Sequence, residues 1–372
     1  MRIAIVGKKH PFCGIVTYCR ELVRALRQAG HTVAFYYLHN EEVHEENEDS
    51  LPLLLRTHMY AVPYGDAPYL LTERLRQFRP DVVHASYALS FLDFALPAIC
   101  EELGVPLVVT FHPAFDSRPT IPNRISGAVY RMYAQTLAHA QRVIVFSRPQ
   151  KERLTQLKVP VEGIRVLPNG VDVERYTPGQ SQFKEAIGAD VLITYMGRID
   201  PEKNVGTLLN VFEQLALPDN VHLAVMGDGI LASRLRPRYE ALPTLHWLGF
   251  VADEPTRIDV LRGSDLFVLP SSVEGLSLAL LEAMACGAAP IATDVGADGE
   301  VIAGCGRVLD PTRLRRQLPR ALRELLADPA EVTRLRVAAR RRVERRFAFR
   351  KNLRRLLEIY KEAREGRSMA VR

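Results

Sequence analysis

The sequence predicts an α/β fold of two Rossmann-like, doubly wound domains that face a central cleft. Short β-branched runs, such as IAIVG and RVIVFS, alternate along the chain with segments of helical periodicity. The chain has 372 residues, of which 47% are hydrophobic, so it is too long for one typical core and apolar enough for two. Its glycine, proline and charged-residue contents are those of a globular protein.

The first domain is predicted to span residues 1–175. Its first strand, IAIVG, precedes a helix in which Leu22, Val23 and Leu26 recur at helical spacing before Gly30 ends it. Later strands are predicted at HTVAFYYL, DVVHASY, VPLVVTFH, RVIVFS and IRVLPNG. Each run is short enough for a buried parallel strand, and the turn-rich segment NGVDVERYTPGQSQ follows the last one.

The second domain is predicted to span residues 176–345 and repeats the same pattern. Its strands are predicted at VLITYMG, VHLAVMG, LHWLGF, DLFVLPSS and APIATD. Residues 346–372 form a basic helical segment with Leu353, Leu356, Leu357 and Tyr360 on one apolar face. We expect this helix to pack back on the first domain.

Composition excludes several classes of protein. The chain contains five cysteines, Cys13, Cys19, Cys100, Cys286 and Cys305, and no CxxC pair, which argues against a disulfide framework or zinc site and for a reducing cytoplasm. The amino-terminal apolar run is shorter than a signal peptide needs, and the apolar stretch 276–292 is too interrupted to span a membrane. We interpret the acidic segment HNEEVHEENEDS as a solvated loop rather than a metal site.

The net charge of +6 favours anionic partners, and cations follow one predicted strand. In open parallel sheets, ligands bind beyond the carboxyl ends of the strands. Gly197 and Arg198 end such a strand, and Lys203 precedes a helix expected to begin near Asn204. Two cations beside free helical N–H groups are typical of a pyrophosphate site, although two surface cations in a loop are the alternative.

Two carboxylates interrupt the apolar stretch SSVEGLSLALLEAMACGAAP. Burying an ionised carboxylate costs several kcal/mol or more unless a partner satisfies it. We place Glu274 in a loop after a strand and Glu282 in the helix that follows, where each could accept hydrogen bonds from the hydroxyls of a sugar or ribose. The alternative is that both lie at the solvent edge of an ordinary helix. Gly227 in VMGDGI adds a weaker signal, close backbone approach to a ligand.

The first domain offers two further candidates. Gly14 precedes a helix, and His112 ends the strand VVTFH. The first turn lacks the GxGxxG pattern and no acid ends the second strand, so a dinucleotide site is not predicted. A histidine with a purely structural role is the alternative interpretation of His112.

Taken together, these motifs resemble those of the retaining GT-B glycosyltransferases of family 4. The resemblance rests on GHTV, DVVH, VVTFH, PNGVD, GRIDPEK and two glutamates separated by seven residues, in the same order over residues 1–345. It implies transfer of a hexose from a nucleotide sugar with retention of configuration, without a protein nucleophile, a cofactor or a metal.

The resemblance also implies a role for each matching residue. Arg198 and Lys203 would bind the donor pyrophosphate, and Glu282 would hold the ribose. Glu274 would contact the donor sugar. Five other positions would contact the donor through their backbone: Gly14, Gly197, Gly275, Leu276 and Ser277. His112 would approach the sugar from the acceptor-side domain, so the implied catalytic residues are His112, Arg198, Lys203 and Glu274.

Three departures from the family pattern stand out. Cys13 replaces the first of two glycines, Asn204 replaces the glycine after Lys203, and DVGADGE replaces GG-x-PE around Glu300. None of them removes a charged group that the family uses. We therefore expect an active enzyme whose acceptor is harder to infer.

The acceptor is inferred from a basic, apolar and aromatic segment after His112, residues 117–137, which contains Arg118, Arg124, Arg131, Ile125 and Tyr133. Such a helix is typical of contact with an anionic membrane, and an ordinary packing helix is the alternative. We favour a lipid or lipid-linked acceptor and a cytoplasmic protein, peripheral at the inner face of a membrane. The alternatives are a soluble transferase acting on small sugars or metabolites and a non-catalytic sugar-nucleotide binding protein. Nucleic acid is not an expected partner, because no reader motif accompanies the arginines.

Overall fold

The computed structural model divides into two compact units, Met1–Pro168 with Asn352–Arg372, and Asn169–Lys351. The structure describes residues 1–9, 14–40, 44–45, 47–56, 61–87, 89–114 and 121–370. Cys13, Arg118 and the side chains of Arg124 and Ile125 lie outside the described residues. The sequence predicted the domain boundaries after residues 175 and 345, close to the two positions at which the chain passes between the units.

Unit 1 contains an extended sheet flanked by helices. Within its described residues the strands are β1 (Arg2–Gly7), β2 (Thr32–His39), β3 (His44–Glu45), β4 (Glu48–Arg56), β5 (Ala61–Pro63), β6 (Val82–Tyr87), β7 (Leu107–Phe111), β8 (Arg142–Val145) and β9 (Ile164–Val166). The helices of its first segment are α1 (Gly14–Gln28), α2 (Ala67–Phe78), α3 (Leu96–Glu102), α4 (Ile121–Ala138) and α5 (Arg148–Gln156).

The strand order of unit 1 is β3-β4-β2-β1-β6-β7-β8-β9, with β5 paired to β4. The pairs β3–β4 and β4–β5 are antiparallel, and the other pairs are parallel. Alternate residues of β1 enter different hydrophobic clusters, Ile3 and Ile5 on one face, Ala4 and Val6 on the other. The sheet is therefore covered on both faces, as its continuous apolar runs predicted.

Unit 2 is a doubly wound domain with a smaller, six-stranded sheet among its described residues. Its strands are β10 (Val191–Met196), β11 (Val221–Met226), β12 (Leu245–Gly249), β13 (Leu266–Leu269), β14 (Ala289–Thr293) and β15 (Arg307–Leu309). Its helices are α6 (Gln182–Ala186), α7 (Val205–Leu215), α8 (Ala232–Tyr239), α9 (Glu254–Gly263), α10 (Leu278–Ala285), α11 (Asp298–Ile302), α12 (Leu314–Leu326) and α13 (Pro329–Arg346).

The sheet of unit 2 is parallel throughout, in the order β12-β11-β10-β13-β14-β15. The chain starts at β10, builds outward to β12, and returns to the other side of β10 with β13. The strand order therefore reverses between β10 and β13. Ligands of open α/β sheets bind at such a reversal, beyond the carboxyl ends of the two strands.

The last helix, α14 (Phe349–Ala370), carries the chain back into unit 1. Its apolar face supplies Leu356, Ile359, Tyr360 and Ala363 to the hydrophobic cluster that also contains Ile3 and Ile5. The Tyr360 hydroxyl forms a hydrogen bond with Nδ1 of the buried His84 on β6. Burial of four side chains and one buried hydrogen bond fix this helix on the unit.

The acidic segment HNEEVHEENEDS was interpreted as a solvated loop, and this was wrong in part. The structure places β3 and the start of β4 within it. Glu48, the first residue of β4, pairs with Lys9 at 2.8 Å and with Arg27 at 3.1 Å. Two cations from distant segments thus neutralise a charge that, in the sequence, argued against a strand.

Candidate functional site

Two loops of unit 2 meet at the point where the strand order reverses. The first follows β10 and carries Arg198 and Lys203, and the second follows β13 and carries Glu274. The strands β10 and β13 are direct neighbours in the sheet. The parallel arrangement therefore brings together residues that are separated by about seventy positions in the sequence.

Lys203 and Glu274 form an ion pair between these loops. Lys203 Nζ lies 2.6 Å from Glu274 Oε1, and each side chain is 13% exposed. The Ser271 hydroxyl donates a second hydrogen bond to the same oxygen, at 2.8 Å. The cost of burying the Glu274 carboxylate is thus offset by a cation and a hydroxyl.

Further hydrogen bonds join the two loops. The backbone N–H of Ser272 donates to Glu202 O at 2.7 Å, and the Asn204 side chain donates to Pro270 O at 3.0 Å. Asn204 adopts φ 52°, ψ 27°, the left-handed conformation in which asparagine is the best tolerated residue after glycine. The replacement of a glycine by Asn204 therefore preserves the turn and adds a bond to the second loop.

Arg198 points its guanidinium at carboxylates of its own loop. It pairs with Asp200 and, at 2.9 Å, with Glu202, and its side chain is 45% exposed. Asp200 is buried, and its other oxygen accepts the N–H of Ile230 at 3.2 Å. Since a guanidinium has five N–H donors, these pairings leave donors for an anionic ligand.

Glycines allow the loops after β10 and β11 to approach closely. A Cβ atom on Gly227 would lie 1.8 Å from Gly197 O, and one on Gly229 would lie 2.6 Å from Ile199 N. Both Cβ atoms would collide with backbone, and that on Gly229 would also lie 2.6 Å from Asp200 Oδ1. Gly227 and Gly229 are thus required for packing between these loops, whether or not they contact a ligand.

Glu282 is a buried residue of α10, the helix that follows the loop with Glu274. Its charge acts on Tyr176 and Cys286, and together with burial it raises the pKa of the Cys286 thiol to about 12. Glu274, in the loop after β13, pairs with Lys203, whereas Glu282 lies on α10. The two carboxylates are therefore on different elements.

The segment Glu274–Ser277 is held against the loop that follows β14. Ala297 N–H donates to Gly275 O at 2.8 Å, and Ser277 N–H donates to Asp298 Oδ1 at 2.9 Å. Among the hydrogen bonds of the described residues, none uses the N–H groups of Gly275 or Leu276. Three backbone amides were predicted to face a donor. Those of Gly275 and Leu276 have no acceptor among the described residues, and that of Ser277 is already hydrogen-bonded to Asp298.

Sequence reasoning missed Asp298, which is fully buried. Burial and the nearby Glu274 raise the pKa of its carboxyl well above the ordinary value, against the opposing effects of the Ser277 N–H and the Lys203 ammonium. An acidic residue inside the small-residue run DVGADGE after a predicted strand was the available signal.

The two candidates in unit 1 differ in environment. His112 lies between Tyr18 and Phe146, with ring centroids 4.9 Å and 5.2 Å away. Its residue is half-buried, but Nε2 is shielded from solvent and lacks a hydrogen-bond partner among the described residues. Burial and the nearby His84 lower its pKa to about 3, so the imidazole is neutral. Gly14 is the exposed first residue of α1, with open space around its Cα.

A search of the described residues for metal ligands finds no group of three or more histidine, cysteine, aspartate or glutamate side chains suited to an ion. No helix in the described part of the chain is long and apolar enough to cross a membrane.

Two family profiles together match most of the chain. The profile of Glycosyltransferase Family 4 matches residues 12–175, and the profile of Glycosyl transferases group 1 matches residues 179–342. The chain belongs to the GT-B glycosyltransferases of group 1. The activity of this glycosyltransferase is transfer of a sugar from a nucleotide-sugar donor.

Relatives of this glycosyltransferase act on different acceptors. This chain is 29% identical over 302 residues to the glycogen synthase of Mycobacterium tuberculosis, and the alignment covers 78% of this chain and 71% of the relative. It is 31% identical over 243 residues to the UDP-Gal:alpha-D-GlcNAc-diphosphoundecaprenol alpha-1,3-galactosyltransferase of Escherichia coli, covering 60% of each. The structure of Anabaena HepE in complex with UDP-glucose shows the same fold, with a TM-score of 0.77, 16% identity and coverage of 96% and 98% of the two chains.

The structure thus places Arg198, Lys203 and Glu274 on two adjacent loops at one edge of unit 2, and Glu282 on α10, the helix that follows Glu274. His112 and Gly14 belong to the other unit. The roles predicted for these residues with donor and acceptor stay predictions.

Proposed function

We propose that this glycosyltransferase transfers a hexose, with retention of anomeric configuration, from a nucleotide sugar to a hydroxyl group of a membrane lipid or lipid-linked glycan. The proposed binding of a nucleotide-sugar donor is supported by one observation. Lys203, Arg198 and the start of α7 lie at the point where the strand order reverses. Cations and free helical N–H groups at one point favour a diphosphate.

The proposed reaction needs neither a protein nucleophile nor a metal ion. The bond between the anomeric carbon and the diphosphate oxygen breaks, and a bond to the acceptor oxygen forms on the same face of the sugar. The acceptor proton passes to the leaving phosphate oxygen. Lys203 and Arg198 stabilise the charge that develops on the leaving diphosphate, which is the electrostatic contribution that most lowers such barriers.

The lipid acceptor is proposed from six exposed apolar side chains of unit 1, here called the exposed apolar surface: Leu54, Leu55, Tyr64, Tyr69, Phe91 and Met132. The elements that carry Leu54, Leu55 and Phe91 are connected, because β5 pairs with β4 and Ala61 of β5 bridges to Ser90, beside Phe91. The exposed Arg131 adjoins Met132 on α4. Apolar and aromatic side chains beside a cation are typical of contact with an anionic bilayer.

A soluble carbohydrate acceptor is the second candidate. It is favoured by the similarity to a glycogen synthase over 78% of this chain. In that case the exposed apolar surface would serve another purpose, and transfer would not depend on lipid.

The deciding experiment measures release of nucleoside diphosphate from UDP-, GDP- and ADP-sugars, with and without anionic vesicles that contain lipid acceptors. Release that requires vesicles, with an α-linked sugar recovered in the lipid from an α-linked donor, supports the proposal. Release with soluble acceptors alone overturns the lipid acceptor in favour of the second candidate. Nucleotide-sugar binding without release in any condition contradicts the enzymatic proposal.

A matched pair of variants tests the membrane surface. Phe91→Ser should weaken sedimentation with anionic vesicles about tenfold, since burial of one phenylalanine side chain is worth roughly 1.5–3 kcal/mol. Val337→Ser, at an exposed apolar residue of α13 in unit 2, is the control and should sediment like the wild type. Equal sedimentation of all three proteins would contradict a role for this surface.

A further inference from the structure

Asp298 is a buried carboxyl group with one oxygen used and one not. It is the first residue of α11, and its relative exposure is 0%. Oδ1 accepts the N–H of Ser277 at 2.9 Å, whereas Oδ2, shielded from solvent, has no hydrogen-bond partner among the described residues. Burial of a carboxyl oxygen without a hydrogen bond lowers the stability of the folded protein, and such atoms in folded proteins often have a functional role.

The backbone around Asp298 packs tightly on the segment Glu274–Ser277. Gly296 has φ +57°, and a Cβ atom on it would lie 2.3 Å from Glu274 O and 2.4 Å from Gly275 O. Ala297 N–H donates to Gly275 O at 2.8 Å. Asp298 adds the side-chain bond at the far end of the same segment, so both ends of the segment are fixed by this loop.

Charged groups reach Asp298 from both loops of the site. Glu274 raises the pKa of its carboxyl and Lys203 opposes that effect, while burial is the largest cause of the rise. On its own segment, Asp294 lies against Gly299, and Arg342 of α13 donates to the carbonyl groups of Glu300 and Val301. Burial and Glu274 thus favour the protonated form of the Asp298 carboxyl group by raising its pKa.

We propose that Asp298 is a positioning residue of the donor site, which fixes the Glu274–Ser277 segment so that the Gly275 and Leu276 amides face the donor sugar. The inference rests on the proposed function, because it assigns that segment to the donor. The protonated form, which burial favours, matters, since an ionised Asp298 would place a second carboxylate near Lys203 and compete with Glu274 for the ammonium group. Ionisation of Asp298 as the pH rises should therefore disturb both the segment and the cation.

Two substitutions separate the parts of this inference. Asp298→Asn keeps an oxygen for the Ser277 N–H and remains neutral at every pH. Asp298→Ala removes the bond. Asp253→Asn is the matched control, because Asp253 is also an aspartate whose side chain accepts a backbone N–H, that of Thr256 at 2.9 Å, at the start of α9.

Amide hydrogen exchange of residues 274–280 gives a readout independent of activity. Asp298→Ala should accelerate exchange at Ser277 by about tenfold, the effect of roughly 1.4 kcal/mol, while Asp298→Asn and Asp253→Asn match the wild type. Unchanged exchange in Asp298→Ala would overturn the positioning role, even if the protein proves to have no transferase activity.

Kinetics test the consequence for the donor. Asp298→Ala should raise the donor KM about tenfold with a smaller change in kcat, and Asp298→Asn should restore the KM. In the wild type, kcat/KM should fall as the pH rises through the raised pKa of Asp298, and Asp298→Asn should remove that fall. An identical fall in both proteins would overturn the part of the inference that concerns the protonated form of Asp298. Accelerated exchange in Asp298→Ala without turnover by any protein would retain the positioning role and reject the proposed function.

Discussion

At the residue scale, the chemistry of unit 2 depends on which carboxylates are paired. Glu274 forms an ion pair with Lys203 at 2.6 Å, whereas the buried Asp298 accepts the Ser277 N–H, its one hydrogen bond among the described residues. Burial and the nearby Glu274 raise the pKa of the Asp298 carboxyl group and so favour its protonated form. The two carboxyl groups of the site therefore have different electrostatic environments.

The first prediction concerns Lys203. Lys203→Ala should lower kcat/KM by about 10²-fold, on the order of 3 kcal/mol, because a cation that stabilises the leaving diphosphate is removed. The check is nucleoside diphosphate release under kcat/KM conditions. Glu282→Gln, by contrast, should mainly raise the nucleotide Kd. Lys184→Ala, which removes a comparable ion pair with Asp265, is the control, and an equal loss in the control would refute the assignment.

The second prediction concerns the effect of His112 on the free energy of unfolding at acid pH. Its folded pKa of about 3 lies below the ordinary 6.5, so between these pH values the unfolded chain binds a proton that the folded protein does not. Stability should therefore rise with pH from 3 to 6.5 and level off above. His112→Phe, between Tyr18 and Phe146, should reduce that slope by up to about 1.4 kcal/mol per pH unit.

Denaturant unfolding at several pH values from 4 to 7.5 checks this prediction. His84, whose pKa burial also lowers to about 3, contributes a similar slope and remains in the variant. The variant should thus retain part of the dependence on pH. A slope unchanged by His112→Phe would show that folding does not lower the pKa of His112.

At the scale of single elements, helix α14 is fixed on unit 1 by a buried polar contact as well as by apolar packing. Tyr360 reaches His84 Nδ1, His84 Nε2 lies 2.8 Å from the Thr110 hydroxyl, and that hydroxyl lies 3.0 Å from the hydroxyl of Tyr18. The chain of contacts joins α14, β6, β7 and α1. An apolar periodicity predicts that a helix is buried, and a network of this kind determines where.

The third prediction tests this network. Tyr360→Phe keeps the ring and removes the hydroxyl, which leaves His84 Nδ1 buried without its partner, so the free energy of unfolding should fall by about 1–3 kcal/mol. Chemical denaturation monitored by fluorescence and circular dichroism measures the change. Tyr239→Phe, at a buried tyrosine of α8 in unit 2, is the control and should leave the stability of unit 1 unchanged. A loss below about 0.5 kcal/mol in Tyr360→Phe would contradict the fixing role of the hydrogen bond.

At the scale of the whole molecule, the chain forms two compact units of similar size. Unit 2, Asn169–Lys351, contains the residues predicted to bind the donor diphosphate, ribose and sugar, and unit 1 contains His112 and the exposed apolar surface. Two separate cores predict two unfolding transitions, which ligands of one unit affect unequally.

The fourth prediction follows from this division. A nucleoside diphosphate present at 100 times its Kd should stabilise the transition of unit 2 by about 2.7 kcal/mol and that of unit 1 by less. Differential scanning calorimetry with and without the nucleotide measures both shifts. Lys203→Ala should lose most of the shift, and a shift confined to unit 1 would contradict the placement of the donor site.

The sequence determined the fold class, most strands and helices of both units, and the charged residues of the candidate site, because hydrophobic periodicity and the residues after each strand are local properties of the chain. It did not reveal β3, β4, β5 or β15, since the first three lie in or next to an acidic segment whose Glu48 is neutralised only by Lys9 and Arg27. Only the tertiary structure decided that Lys203 pairs with Glu274, that Asn204 serves as the left-handed turn, and that Asp298 is buried against Ser277. These facts depend on which strands become neighbours, and a parallel sheet makes neighbours of segments that the sequence keeps far apart.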